Sequence, residues 1–157
     1  YVVGGGVTAD SYHITANDPE GRGASRAVHM ALEMADASVD DVTHINAHAT
    51  STPVGDPNEY QALLSVFGER IREIPVAATK ASTGHLLGGT GALEAIFTVL
   101  ALRDGIVPPT INVTEQGPEV PFRISGKVEQ LGSGEHLAIS NSFGFGGHNA
   151  VAAFTAA

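Results

Sequence analysis

Leu87-Gly88-Gly89-Thr90-Gly91-Ala92-Leu93-Glu94-Ala95-Ile96-Phe97-Thr98-Val99-Leu100-Ala101-Leu102 is the stretch on which the reading of the fold turns. It reads as a helix that is apolar on nearly every side, and such a helix belongs in an interior with protein on both flanks. Gly88, Gly89, Gly91 and Glu94 interrupt it too often for a membrane span. Upstream, Pro75 to Ala78 reads as a short strand. Downstream, Pro108-Pro109 opens a long irregular stretch. Leu137 to Ser142 and Ala150 to Thr155 then read as two strands of a hairpin joined by Gly144-Phe145-Gly146-Gly147.

The first half of the chain completes the alternation. Residues 1 to 9 read as a Val- and Gly-rich strand, and a polar loop follows through Ser11 to Gly23. From Ala24 to Ala37 apolar residues recur at three- and four-residue steps, the spacing of one helical face, with Asp40 and Asp41 marking the exit. Val42 to His48 reads as a strand with His44, Asn46 and His48 on one face. Asp56 has the features of an N-cap: Pro57 falls at the first helical position and Glu59 where a capping box places an acid. Tyr60, Leu63, Leu64 and Phe67 form the buried face of that helix, and Gly68 ends it. The order of elements predicts an α/β protein with a mixed sheet, read as one domain over residues 1–157.

Eight Lys and Arg residues against 17 Asp and Glu give a net charge of -9, and no basic cluster is present to neutralise phosphates, so nucleic acid is excluded as a partner. Cysteine is absent, which removes disulfides, thiolate metal ligands and a cysteine nucleophile from these residues. Nothing at the start resembles a signal peptide, and the expectation is a soluble, cytoplasmic protein. The chain opens on a strand without methionine, and residues are expected to precede Tyr1.

Five clusters carry candidate chemistry: His48-Ala49-Thr50-Ser51-Thr52-Pro53-Val54-Gly55-Asp56, Lys80-Ala81-Ser82-Thr83-Gly84-His85, Glu94, Pro108-Pro109-Thr110-Ile111-Asn112, and Asn141-Ser142-Phe143-Gly144-Phe145-Gly146-Gly147-His148-Asn149. Taken singly, each has a bland reading: a histidine at a strand end, a histidine before a helix, a structural Lys80–Glu94 ion pair, a polar loop, a tight turn. His44 and His48 do not suit zinc, because an HxxxH couple relies on helical spacing and this segment reads as a strand. The glycine loop lacks the GxGxxG spacing and precedes a strand rather than a helix.

In this order the clusters resemble the C-terminal half of the β-ketoacyl-acyl-carrier-protein synthases, the condensing enzymes of fatty acid synthesis, across essentially the whole chain. The resemblance implies the thiolase-like αβαβα fold, in which two similar halves stack a shared layer of buried helices between their sheets. Leu87 to Leu102 would lie in that layer, and this half alone would expose a large apolar patch. It implies further that His48 and His85 stabilise the enolate formed when malonyl carrier protein loses carbon dioxide. A nucleophilic cysteine in the N-terminal half would hold the acyl chain. Two neutral imidazoles, each donating one N–H, suit a developing oxyanion in a site largely closed to water. Lys80 would disfavour the imidazolium of His85, and Glu94 would hold the lysine.

By the same resemblance the loop of Phe143, Gly144, Phe145 and Gly146 lies beside the active site; Phe145 matches the residue that gates the acyl pocket and supplies an oxyanion-hole N–H. Thr50 and Thr52 match hydroxyls that hold the phosphopantetheine arm, which arrives on the acyl carrier protein, so that no other cofactor is required. Asn46, Glu94, Ser140 and Asn141 fall at or near positions that bind a monovalent cation in some relatives. The implied partners are the acyl carrier protein and the N-terminal half, with a homodimer when complete. His13, His29, His44 and His136 match no catalytic motif. Ala49 stands where glycine is commonest after the first histidine, and His148 where threonine is commonest after the glycine loop; both resemble actinobacterial members. A ketosynthase of a polyketide synthase and a non-catalytic chain-length subunit are the alternatives, and retention of His48, Lys80 and His85 argues against the second.

Overall fold

A computed structural model of the chain describes residues 1–156. Its centre is a five-stranded sheet in the order β1-β7-β6-β2-β3, built from β1 (Val2–Ala9), β2 (Val42–Asn46), β3 (Val76–Ala77), β6 (Leu137–Gly144) and β7 (His148–Thr155). The pairs β2/β3 and β2/β6 are parallel, while β6/β7 and β1/β7 are antiparallel, so the sheet is mixed as expected. Two short strands, β4 (Ile106–Val107) and β5 (Glu129–Gln130), form a separate antiparallel pair.

Helices α1 (Arg22–Met34) and α2 (Gly55–Phe67) cover one face of the sheet. Ala27, Val28, Ala31 and Leu63 pack there with Ile45, Ile139 and Val151 in the main core. The glycines of β1 let α1 sit close: a Cβ at Gly4 would lie 2.0 Å from the Ala31 carbonyl oxygen, and one at Gly6 the same distance from that of Ala27. α1 begins two residues before the periodicity predicts and stops at Met34, because Asp36 takes a positive φ of 51°. β2 ends at Asn46, so His48 lies two residues beyond the strand rather than at its last position.

The start of α2 differs from the sequence reading. Val54, not Asp56, occupies the N-cap, and the Asp56 carboxylate accepts from the backbone N–H groups of Ser51 and Thr52 in the preceding loop, at 3.0 and 3.4 Å. Glu59 makes no capping box; it turns inward to the end of β2. Gly68 ends the helix at φ 58°, a conformation open to glycine.

The other face of the sheet carries α4 (Thr90–Asp104), preceded by the single-turn α3 (Lys80–Thr83) and a 3-10 turn over Leu87–Gly89. Leu102 packs there on Ala138 and Phe154. α4 is not enclosed on all sides, and its polarity is inverted. Thr90, Glu94 and Thr98 are buried with Ala101 and Leu102, whereas Ile96 is 54% exposed and Val99 and Leu100 are also open. A helix that turns polar groups to the sheet and aliphatic ones outward lacks its outer cover in this chain, which accounts for the all-round apolar pattern. Sedimentation of the isolated 157-residue chain should show self-association, reduced in an Ile96→Lys/Leu100→Lys double variant. A wild-type chain that stays monomeric at high concentration would contradict this.

Candidate active site

The backbone beyond β2 brings His48 to the mouth of the sheet. The buried Glu59 carboxylate on α2 accepts from His48 N–H at 2.9 Å and Ala49 N–H at 2.8 Å, and from the Asn141 side-chain amide of β6 at 3.1 Å. Burial pushes the Glu59 carboxyl up, against the pull of those three donors. Glu59 thus anchors a loop in which Ala49 and Ser51 hold positive φ values of 30° and 60°. That conformation gives a physical reason for a glycine after the first histidine, since a Cβ there is strained.

The second histidine arrives from the other side of the sheet. α3 ends at Gly84, φ 70°, and His85 follows at the foot of α4. The two imidazoles, from loops 37 residues apart in sequence, meet with ring centroids 5.6 Å apart and planes at 83°. Phe143 of β6 lies 6.1 Å from His48 by the same measure. Leu87 N–H donates to His85 Nδ1 at 3.2 Å, and the Thr90 hydroxyl lies 2.8 Å from the same nitrogen. His85 itself is exposed in this chain. The expectation of a site closed to water is therefore not met by these residues alone.

Lys80 is 8% exposed and donates to both oxygens of Glu94, at 2.7 and 2.8 Å. Thr79 Oγ1 lies 3.2 Å from Glu94 Oε1 and 3.2 Å from Asn46 Oδ1, while Asn46 Nδ2 donates to the Glu94 carbonyl at 3.1 Å. Burial pushes the Glu94 carboxyl up, opposed by the lysine. The lysine also bears on a histidine for which the sequence reading gave it no part. It is His48 whose pKa falls to about 4, first through burial, then through the charges of Lys80 and His85. His48 is thus neutral at neutral pH and able to donate an N–H.

The residues considered for a cation divide between the two faces of the sheet. Asn46 and its register partner Ser140 turn toward α4, whereas the Asn141 side chain faces α2 and Glu59. The alternation of a strand enforces that split, since neighbouring residues point to opposite faces. Among the described residues no group of three His, Cys, Asp or Glu could hold a metal ion. Thr50 and Thr52 line a cleft of about 490 Å³ beside the site, together with Lys80, Thr110, Asn112 and Gln116. Thr52 Oγ1 accepts from Gly55 N–H at 3.0 Å, which fixes the cleft wall.

Phe145 is 81% exposed on the turn after β6, between Gly144 and Gly146, with Gly146 and Gly147 at φ 78° and 70°. His148 Nδ1–H donates to the Phe145 carbonyl at 3.0 Å. The sequence reading gave the loop after β1 no role, yet it fastens this turn. Asp10 N–H donates to the Gly147 carbonyl at 2.8 Å, Gly146 N–H to the Ile14 carbonyl at 2.9 Å, and Asn149 Nδ2 to Asp10 Oδ1 at 2.7 Å. Only the β1/β7 pairing, a long-range contact, reveals Asp10 as a neighbour.

The family described as "Beta-ketoacyl synthase, C-terminal domain" matches residues 1–114. The chain belongs to that family. It is 49% identical over 154 residues to 3-oxoacyl-[acyl-carrier-protein] synthase 2 of Staphylococcus aureus (strain COL), covering 98% of this chain and 37% of that protein. It is 46% identical to the Synechocystis protein of the same name, covering 36% of it. The chain spans little more than a third of the length of these curated relatives. Among solved structures, a beta-ketoacyl synthase from Burkholderia phymatum STM815 superposes with a TM-score of 0.89 at 37% identity, covering 99% of this chain and 37% of that one. A ketosynthase structure described as a type II PKS acyl-carrier protein in complex with its ketosynthase bound to the hexaketide gives 0.92 at 30% identity, covering 99% and 38%. The mixed sheet with helices on both faces is thus the thiolase-like α/β fold of these synthases.

Within this beta-ketoacyl synthase domain, His44 is a structural histidine. It is fully buried, donates from Nδ1 to the Pro75 carbonyl at 3.1 Å, and burial lowers its pKa to about 4. As pH falls from 6.5 to 4 the unfolded chain takes up a proton that folded His44 refuses, so the stability this residue contributes is complete above 6.5 and drains away toward 4. The buried carboxyls of Glu59 and Glu94 work in the opposite sense, so the informative quantity is a difference. The stability advantage of wild type over His44→Gln, from denaturant unfolding of the full-length protein, should shrink across that window. A constant advantage would rule out a neutral buried His44.

Proposed function

We propose that the protein is a 3-oxoacyl-[acyl-carrier-protein] synthase and that residues 1–157 form one domain of it, supplying the histidine, histidine and lysine of the condensing site. The observation that carries this reading is the convergence of His48 and His85, from separate loops, at 5.6 Å beside a buried lysine. The acyl chain would be held as a thioester on a cysteine from outside these residues, which contain none. The partners are then the acyl carrier protein, the N-terminal half that would cover α4 and close the site, and a second copy of the complete enzyme. The working compartment is the cytoplasm.

The chemistry follows from the two rings. A malonyl thioester on the carrier protein loses carbon dioxide, and the electrons of the broken C–C bond pass into an enolate whose oxygen becomes negative. N–H groups from His48 and His85 stabilise that oxygen, and neutral rings can do so without surrendering a full proton. The enolate carbon attacks the acyl thioester carbonyl; a C–C bond forms, the C–S bond breaks, and the cysteine leaves as thiolate to take up a proton. Burial first, and then the charge of Lys80 fixed by Glu94, keeps His48 neutral. Thr50 and Thr52 would hold the phosphopantetheine arm in the cleft that they line. Phe145, on the turn of Gly144 and Gly146 beside Phe143, would gate the acyl pocket and offer its N–H to the thioester oxygen. We assign no cation, because Asn46 and Ser140 face away from Asn141.

A ketosynthase of polyketide assembly is the second reading, favoured by the close superposition on the type II PKS ketosynthase. Extension of saturated acyl primers by the full-length protein supports the first reading. In that protein His48→Ala or His85→Ala should lower carbon dioxide release from malonyl carrier protein by about 100-fold or more, the scale of losing one oxyanion donor. Acyl transfer to the cysteine should remain measurable. Undiminished decarboxylation in either variant would refute the assignment.

A further inference from the structure

We propose that Thr90 is a positioning residue that keeps the proton of the His85 imidazole on Nε2, leaving Nδ1 as an acceptor. The proposal rests on the reading of His85 as a donor to the enolate and adds to it a side chain that helps to hold the proton on the donating nitrogen. The Thr90 hydroxyl stands 2.8 Å from His85 Nδ1, on a residue that is only 3% exposed. A hydroxyl can donate or accept, so this contact alone leaves the tautomer open. Leu87 N–H decides it. It lies 3.2 Å from the same nitrogen and can only donate, so Nδ1 carries no proton and Thr90 must be the donor.

The two donors are unequal. Leu87 sits in an exposed 3-10 turn at φ 51°, and its contact is the longer one. Thr90 is the first residue of α4, anchored by the helix, and its β-branched side chain has few rotamers to choose from. The ring it orients is exposed and has His48 as its aromatic neighbour. Without the hydroxyl, only the longer Leu87 contact would hold the ring against flipping its tautomer or turning, and a bare Nε2 would repel the enolate oxygen that it should hold.

The test uses the full-length protein with 15N-labelled histidine, the His85 signals being identified by their loss in His85→Gln. Wild type should show a bare Nδ1 and a protonated Nε2 for His85. Thr90→Val, which keeps the shape and removes the hydroxyl, should give a mixture of tautomers. It should also lower kcat for decarboxylation by about five- to tenfold, the scale of one lost hydrogen bond, with KM changed less than about twofold. Thr90→Ser should restore both readouts; if Thr90→Val does not fold, Thr90→Ala against Thr90→Ser makes the same comparison. A proton on Nδ1 in wild type, or a tautomer indifferent to Thr90→Val, overturns the proposal. Undiminished decarboxylation in His85→Ala would instead remove the functional reading, and the tautomer shift would still report on Thr90.

Discussion

The buried ion pair between Lys80 and Glu94 holds together the parts on which everything else rests. Two charges taken out of water at 2.7 Å are stable only with further hydrogen bonds around them, and Thr79 lies within reach of the same carboxylate. Removing either partner would leave an uncompensated charge and cost about 3–5 kcal/mol. The pair joins the segment after β3 to the second turn of α4, so the stretch carrying His85 is pinned on both sides. Its positive charge also lies close enough to His48 to oppose protonation there.

That pair explains the orientation of α4. A helix with Glu94, Thr90 and Thr98 along one side would ordinarily turn that side to water. Here the lysine, the Asn46 amide and the His85 ring are all on the sheet side, so the polar stripe faces inward and the aliphatic stripe outward. The outward stripe then needs a cover, and this chain spans little more than a third of the length of its curated relatives. Binding chemistry and the demand for a further protein layer thus come from one arrangement of side chains. The sequence pattern of a helix apolar all round follows from it.

On the opposite side of the sheet Glu59 plays the matching part for His48. It holds two successive N–H groups of a loop whose backbone is strained at Ala49 and Ser51, and strain of this kind persists only where surrounding structure over-determines it. The turn bearing Phe145 is held differently. Asp10 and Ile14 fasten it through backbone contacts and leave the phenylalanine itself in solvent, suited to movement.

By itself the sequence determined the order of the main elements, though not α3, β4 or β5, together with the mixed α/β class and the histidine and lysine motifs, because period, turn residues and motif spacing are local properties written in consecutive residues. The hairpin around Gly144 to Gly147 and the helix read from Ala24, which in the fold starts at Arg22, were legible for the same reason. The start of α2 was misread since Asp56 and Glu59 have the right residue types at capping spacing, yet Asp56 turns back to the loop just before it and Glu59 reaches the end of β2 and Asn141. The action of Lys80 on His48, the split of Asn46 from Asn141, and the fastening of the Phe145 turn by Asp10 were likewise decided by tertiary structure. Each depends on a distance or a burial between groups far apart in the chain, and electrostatic and hydrogen-bond energies depend on those quantities rather than on sequence separation.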